Sequence, residues 1–416
     1  MITFNKILLI SLITISANAT SLKEIINSTI ENNENLQSLK IQNNALNKTY
    51  HSVKNIYNPS INIGANYLKL DGDVRNVQIG QTTTAYAKLS IDLYNGGKNT
   101  ALKKQKEYEY KSGLNNELSN TRQTILQVVT MYFNTKTILE NIKVLNEKAI
   151  ALKAQYDRIK TKYDLRMTTI DEVYKFKSEY EENQYQIDEL KYQKEVQLQN
   201  LSLVSNLDIK SLDDVVLPNT NNLEYSKSTT IKSLEYQIKA QEKSKDILNA
   251  SNMPQIKLQD TYNIYNYDDY NSQALNDLPE QQNQLMISLN FKLFDTSTNS
   301  KIQSATLAKN STIKKLEYLK KQEEMNFKLS KKRLVTNKLK INSSKSALKM
   351  ANSVYKTVKV KYENGVVDNI VYLDALRGKI YNQAMYKQSL NDYEIAKANY
   401  YFNSGKNYKE VLSTWK

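Results

Sequence analysis

Four short stretches of this chain alternate apolar and polar residues, and long segments between them carry an apolar residue every three or four positions. Ile61, Ile63, Ala65 and Tyr67 alternate with Asn62, Gly64 and Asn66, while Ala87, Leu89, Ile91 and Leu93 alternate with Lys88, Ser90 and Asp92. Further on, Ile256, Leu258, Tyr262 and Ile264 alternate with Lys257, Gln259, Thr261 and Asn263, with Asp260 interrupting the apolar face. Ile287, Leu289, Phe291 and Leu293 alternate with Ser288, Asn290 and Lys292. A period of two predicts strands with one apolar and one polar face. The longer period predicts helices. Lys98 to Tyr163 has no proline and places Ile125, Val128, Val129, Tyr132, Leu145, Ala149, Leu152, Tyr156 and Ile159 at helical steps. At a rise of ~1.5 Å per residue it is roughly 100 Å long. Asn299 to Tyr362 predicts a second long helix. Shorter helices are predicted over Ser21 to Asn55, Thr168 to Leu203, Asn222 to Ser251 and Asn369 to Tyr400.

The elements come twice. Asn58-Pro59-Ser60-Ile61 returns as Met253-Pro254-Gln255-Ile256, Leu93-Tyr94-Asn95 as Leu293-Phe294-Asp295, and Lys162-Tyr163-Asp164 as Lys361-Tyr362-Glu363. Three landmarks in one order at nearly one offset indicate an internal duplication. Residues 20–217 form a first repeat of helix-strand-strand-helix-helix and residues 218–405 a second, followed by a tail, 406–416. Proline and glycine punctuate the same boundaries. Pro59 and Pro254 open strands, where a missing N–H costs no ladder bond, Pro218 separates the repeats, and Gly96-Gly97 lies between a strand and a helix. The fold class is therefore α+β, mostly α.

Four amphipathic strands fit either a soluble sheet with one wet face or a membrane barrel with lipid outside and a polar lumen. Each has about the 9–11 residues that cross a bilayer at a tilt. About eight strands are needed to enclose even packed side chains, so a barrel requires several copies of the chain. The long helices lead to the same conclusion, since stripes of this length are buried by lateral packing against neighbours. In each repeat the two short helices, end to end, equal the long one.

Composition narrows the setting. Lys6, the apolar run Ile7–Ile13 and Ala17-Asn18-Ala19 read as a secretory signal peptide over residues 1–19. Its removal takes away only Lys6 among charged residues, lowering the net charge from +15 to +14. There is no cysteine. The positive charge is a Lys/Glu mixture spread along helix faces, which argues against a nucleic-acid partner. His51 has no partner in a metal-binding spacing, and Gly96-Gly97-Lys98 lacks the rest of a phosphate loop. No cofactor, metal or catalytic residue is expected. The polar loops Lys69–Thr84 and Asn266–Gln284 read as exposed tips, and Tyr67, Tyr86, Tyr94, Tyr262 and Phe294 as an aromatic belt.

With the Pro-x-Ile strand openings, Leu93-Tyr94-Asn95-Gly96-Gly97-Lys98 at a strand exit and Lys361-Tyr362-Glu363-Asn364-Gly365 before the last helix, the chain resembles the TolC-like outer-membrane efflux channel family along its whole mature length. The resemblance implies a homotrimer with a twelve-stranded barrel in outer-membrane lipid and a helical barrel in the periplasm. It further implies a passive exit duct for an efflux or type I secretion system, working with a periplasmic adaptor and an inner-membrane transporter. It also implies a gate where the inter-helix turns converge. Asp374 and Glu172 fall on the family's gating carboxylates and Tyr362 on its tyrosine. Val371 stands where a second carboxylate is usual, with Asp368 nearby as a substitute, and Val367 stands where a basic partner is usual, so the closing network differs. Without the resemblance, a periplasmic coiled-coil adaptor or scaffold is the alternative, and a secreted helical adhesin a third.

Overall fold

In the computed structural model, residues 19–56, 58–72, 78–219, 222–275 and 277–406 are described. Most of the signal sequence and nearly all of the tail lie outside them. The element order is α1 (Leu22–Asn32), α2 (Glu34–Ser52), β1 (Ser60–Lys69), β2 (Gln81–Asn95), α3 (Lys98–Asp164), α4 (Ile170–Ser205), α5 (Thr229–Ala250), β3 (Gln255–Asp268), β4 (Gln281–Asn290), α6 (Thr296–Glu363) and α7 (Asn369–Asn403). This is the predicted repeat, twice. No described helix is long and apolar enough to cross a membrane.

Several boundaries differ from the sequence reading. The expected Ser21–Asn55 helix is broken at Asn33, whose backbone is extended. The Asn33 amide carbonyl accepts the Leu36 N–H at 3.1 Å and its amide N–H donates to Val204 O at 2.8 Å. One side chain thus caps the new helix and ties the break to α4. The helix expected from Asn222 starts at Thr229, because the preceding backbone is bonded instead to α7. The Leu223 N–H donates to Tyr400 Oη at 3.1 Å, and the Ser226 N–H to Ser404 O at 2.8 Å. β2 and β4 begin at Gln81 and Gln281, earlier than the apolar alternation suggests. β4 also stops at Asn290, so Phe291 and Leu293 lie beyond it. There Asp295 accepts from the Thr298 N–H and hydroxyl at 3.2 and 2.7 Å, starting α6.

The chain forms two compact units that cut across the repeats. One comprises Met1–Ser38, Leu118–Ser228 and Lys321–Lys416. It holds two apolar cores. Leu22, Ile25, Ile26, Val128, Val129, Tyr132 and Leu201 build the first, and Val144, Leu152, Phe176, Tyr372 and Leu376 the second, beside the helix turns. The segment between the repeats is bound into the first core by Ile209, Leu212 and Leu217. The other unit, Leu39–Glu117 and Thr229–Lys320, holds the sheet. Its order is β1-β2-β3-β4, antiparallel throughout, so β1 and β4 are its edges.

Candidate functional site

Within the sheet, register sorts the side chains onto two faces. Ile63 pairs with Ala87, Ala87 with Tyr262, and Tyr262 with Asn283; one row along, Ile61 pairs with Leu89, Leu89 with Asp260, and Asp260 with Leu285. The apolar alternations of all four strands therefore share one face. That face is bare: Ile63 is 85 % exposed, Leu285 and Ile287 67 % and Leu289 69 %. Asp260 sits within it, with one carboxylate oxygen covered and without a hydrogen-bond partner. The opposite face carries Asn62, Asn66, Thr84, Tyr86, Lys88, Lys257, Thr261, Asn263, Gln282 and Gln284. A side chain added at Gly64 would meet the Tyr86 hydroxyl at 2.5 Å, so Tyr86 lies across β1 on the polar face and is not part of an outer aromatic belt. Tyr67 and Tyr262 are on the apolar face. The Tyr67 hydroxyl donates to Gln81 at 3.1 Å and the Tyr262 hydroxyl to Gln281 at 2.6 Å, the same diagonal bond in both repeats. Phe294 and Leu293, both 85 % exposed, follow β4.

The strand-to-helix exits are also duplicated. Asn95 Oδ1 accepts the Asn99 N–H at 3.3 Å, as Asp295 accepts that of Thr298. Lys292 at 3.0 Å and Thr298 hold the Asp295 carboxyl below the usual carboxylate range. Gly96 (φ 64°) and Gly97 (φ 80°) make the first exit turn, and a Cβ at Gly96 would lie 2.5 Å from that of Met253. Pro59 and Pro254 each immediately precede a strand.

In the other unit, two helix turns repeat each other bond for bond. The Arg166 N–H donates to Tyr163 O and the Met167 N–H to Lys162 O; Gly365 and Val366 donate likewise to Tyr362 and Lys361. Arg166 (φ 58°) and Gly365 (φ 71°) hold the same left-handed position. Around these turns lie the four gate candidates. Asp368 is the N-cap of α7, accepting the Val371 N–H at 3.0 Å. Glu172 accepts a hydrogen bond from the Asn369 amide, joining α4 to the start of α7. Tyr362 stacks on Tyr372 with centroids 4.7 Å apart, and burial raises both phenols. Asp374 is exposed and paired with Arg377 at 3.2 Å.

The basic groups of this network were missed in the sequence. The Arg377 guanidinium also pairs with Glu179 on α4. Arg158 lies over the Tyr362 ring at 5.8 Å and donates to Glu363 O at 3.1 Å. Tyr362 and Asp374 therefore do have cationic partners, supplied by α3 and α7 instead of position 367. A signal was present: three of only six arginines, Arg158, Arg166 and Arg377, fall near the turns in a chain whose other cations are lysines. Planar guanidinium stacks on a ring and grips two acceptors where ammonium does neither as well.

Residues 25–206 match the family model described as outer membrane efflux protein. Among solved structures, the chain is similar to the Campylobacter jejuni CmeC outer membrane channel, with 15 % identity, TM-score 0.83, and 95 % of this chain and 90 % of that one covered. It is also similar to the outer membrane protein VceC of Vibrio cholerae, with 12 % identity, TM-score 0.82 and coverages of 93 % and 96 %. The open state of the Neisseria gonorrhoeae MtrE outer membrane channel aligns with 14 % identity, TM-score 0.78 and coverages of 93 % and 89 %. No curated protein sequence matches. The first repeat thus matches the outer membrane efflux protein family by sequence, and nearly the whole chain has the fold of these outer-membrane channels. That fold is the one of TolC-like outer-membrane channels.

Proposed function

We propose that three copies join their sheets into one twelve-stranded barrel and form a passive exit duct. One observation carries this: a four-stranded sheet with two open edges and a bare apolar face. Such a sheet is unstable alone in water, and closure removes the edges. Its strands alternate in direction, so β4 of one copy and β1 of the next run antiparallel and can continue the ladder. α6 supports the same reading. Met325, Leu329, Leu339, Met350 and Val354 are all about half exposed or more and lie at steps of 4, 10, 11 and 4 residues. On a helix these fall on one stripe, suited to a helix of a neighbouring copy. Export then draws its energy from an inner-membrane transporter reached through a periplasmic adaptor, since the chain carries no phosphate loop.

The gate belongs to the same reading. Asp374, Glu172, Tyr362 and Asp368 sit at the turns that close the periplasmic end. Beside Arg377, the two carboxylates Glu179 and Asp374 leave that cluster with one net negative charge per copy, and three exposed Asp374 side chains around one axis form a ring that favours cations. In detergent the protein should have the mass of three chains, and in a planar bilayer it should conduct. A monomer without affinity for lipid overturns the proposal. Asp374→Ala should lower the K+ over Cl− preference; unchanged selectivity in a conducting channel removes Asp374 from the gate.

A further inference from the structure

Between the mouth and the exit of the sheet, the polar face has one unbalanced charge. Lys88 pairs in register with Asn62 on one side and Thr261 on the other, and Thr261 with Gln284. Its same-face neighbours one row away are also neutral: Gly64 and Tyr86 toward the loops, Ser60, Ser90 and Gln259 toward the helices. The nearest acid on that face of β2 is Asp92, four residues away and directly opposite Lys257 in register. Asp92 therefore offsets Lys257 and leaves Lys88 uncompensated. Lys88 is partly covered among its neighbours.

We infer that Lys88 forms a cationic ring in the barrel throat that favours anionic solutes over cationic ones. The inference rests on the trimeric duct proposed above, in which the polar face is the lumen and three Lys88 side chains meet one water-filled space. Fixed charges around a pore set the sign of the ions it passes. The proposed Asp374 ring acts at the periplasmic end; the throat acts in the opposite sense on whatever has passed it. Solutes carrying a carboxylate, phosphate or sulfonate match this filter. Dications do not.

The test uses the full-length protein in planar bilayers under a KCl gradient, read as the K+/Cl− permeability ratio. With ring charges about one Debye length, ~10 Å, from the axis in 0.1 M salt, removing them should raise that ratio on the order of two- to four-fold. Lys88→Gln should show this rise and Lys88→Glu a larger one. The effect should grow as salt is lowered, because screening weakens. The double variant Asp92→Asn with Lys257→Gln should do much less, since it removes an offset pair and leaves the net charge of the face unchanged. Normal conductance with an unchanged ratio in both Lys88 variants overturns the inference, as does an equal effect of the Asp92→Asn/Lys257→Gln double variant. Absence of channels in the wild type overturns the duct itself, so the two failures are distinct.

Discussion

At the scale of single residues, the duplication gives an internal control on backbone strain. Gly365 and Arg166 occupy equivalent left-handed positions, and a Cβ added at Gly365 meets nothing within 4 Å. Gly365→Ala should therefore cost only the backbone term, about 1–2 kcal/mol, read as a lowered midpoint of thermal or urea unfolding. Arg166→Gly relieves the same strain and should not destabilise. A second residue effect is larger. Lys397, 2 % exposed, donates to Leu217 O at 2.7 Å and pairs with Glu394 at 2.7 Å, while Glu394 accepts the Leu217 N–H at 2.8 Å. Two buried charges thus clamp the segment between the repeats onto α7. Removing one leaves the other uncompensated, so Lys397→Ala should cost about 3–5 kcal/mol and expose residues 206–228 to protease. Burial already raises the Glu394 carboxyl. A raised acid contributes stability that is complete below its unfolded value and lost as pH rises through its folded one. The Lys397→Ala defect should therefore be smaller at pH 4.5 than at pH 7.5, and pH-resolved urea unfolding checks this.

At the scale of elements, the strands were readable because their two faces meet different solvents. Alternation survives in every strand, and the register aligns the four apolar sets on one face. Strand ends were less readable. β2 and β4 begin in the polar runs Gln81–Thr84 and Gln281–Gln284, where pairing and not apolarity defines the strand. The helix break at Asn33 was invisible for a similar reason, since an asparagine favours a cap only when a partner such as Val204 O is within reach. The faces themselves make a prediction. Ile63→Lys puts an ammonium in lipid near mid-strand and should cost about 2–4 kcal/mol. Asn62→Lys, at the same depth on the polar face, should cost much less. Unfolding of each variant from lipid vesicles, compared with wild type, separates them; equal costs would mean that the face assignment is wrong.

At the scale of the whole molecule, the compact units do not follow the repeats. Each repeat gives strands to one unit and helix turns to the other, because strands pair with strands and helix turns pack with helix turns. The trimer is tested at this scale too. Substituting charges along the α6 stripe, for example Leu329→Glu with Leu339→Glu, should lower the mass of the detergent particle from three chains toward one. These side chains are already exposed in the single chain, so its own stability should change little.

The sequence alone determined the elements and their duplication, which follow from periodicity and spacing, local properties of a chain. The acidic and aromatic gate candidates came from the resemblance to the efflux-channel family. Tertiary structure decided which groups meet. It set Arg158 over Tyr362, brought Arg377 to Glu179 and Asp374, moved Tyr86 to the polar face, and left Lys88 without a counter-charge. Those pairings join residues up to about 200 positions apart, or depend on a register that shifts faces with a slip of one residue. Spacing along a chain does not encode such contacts until the chain has folded.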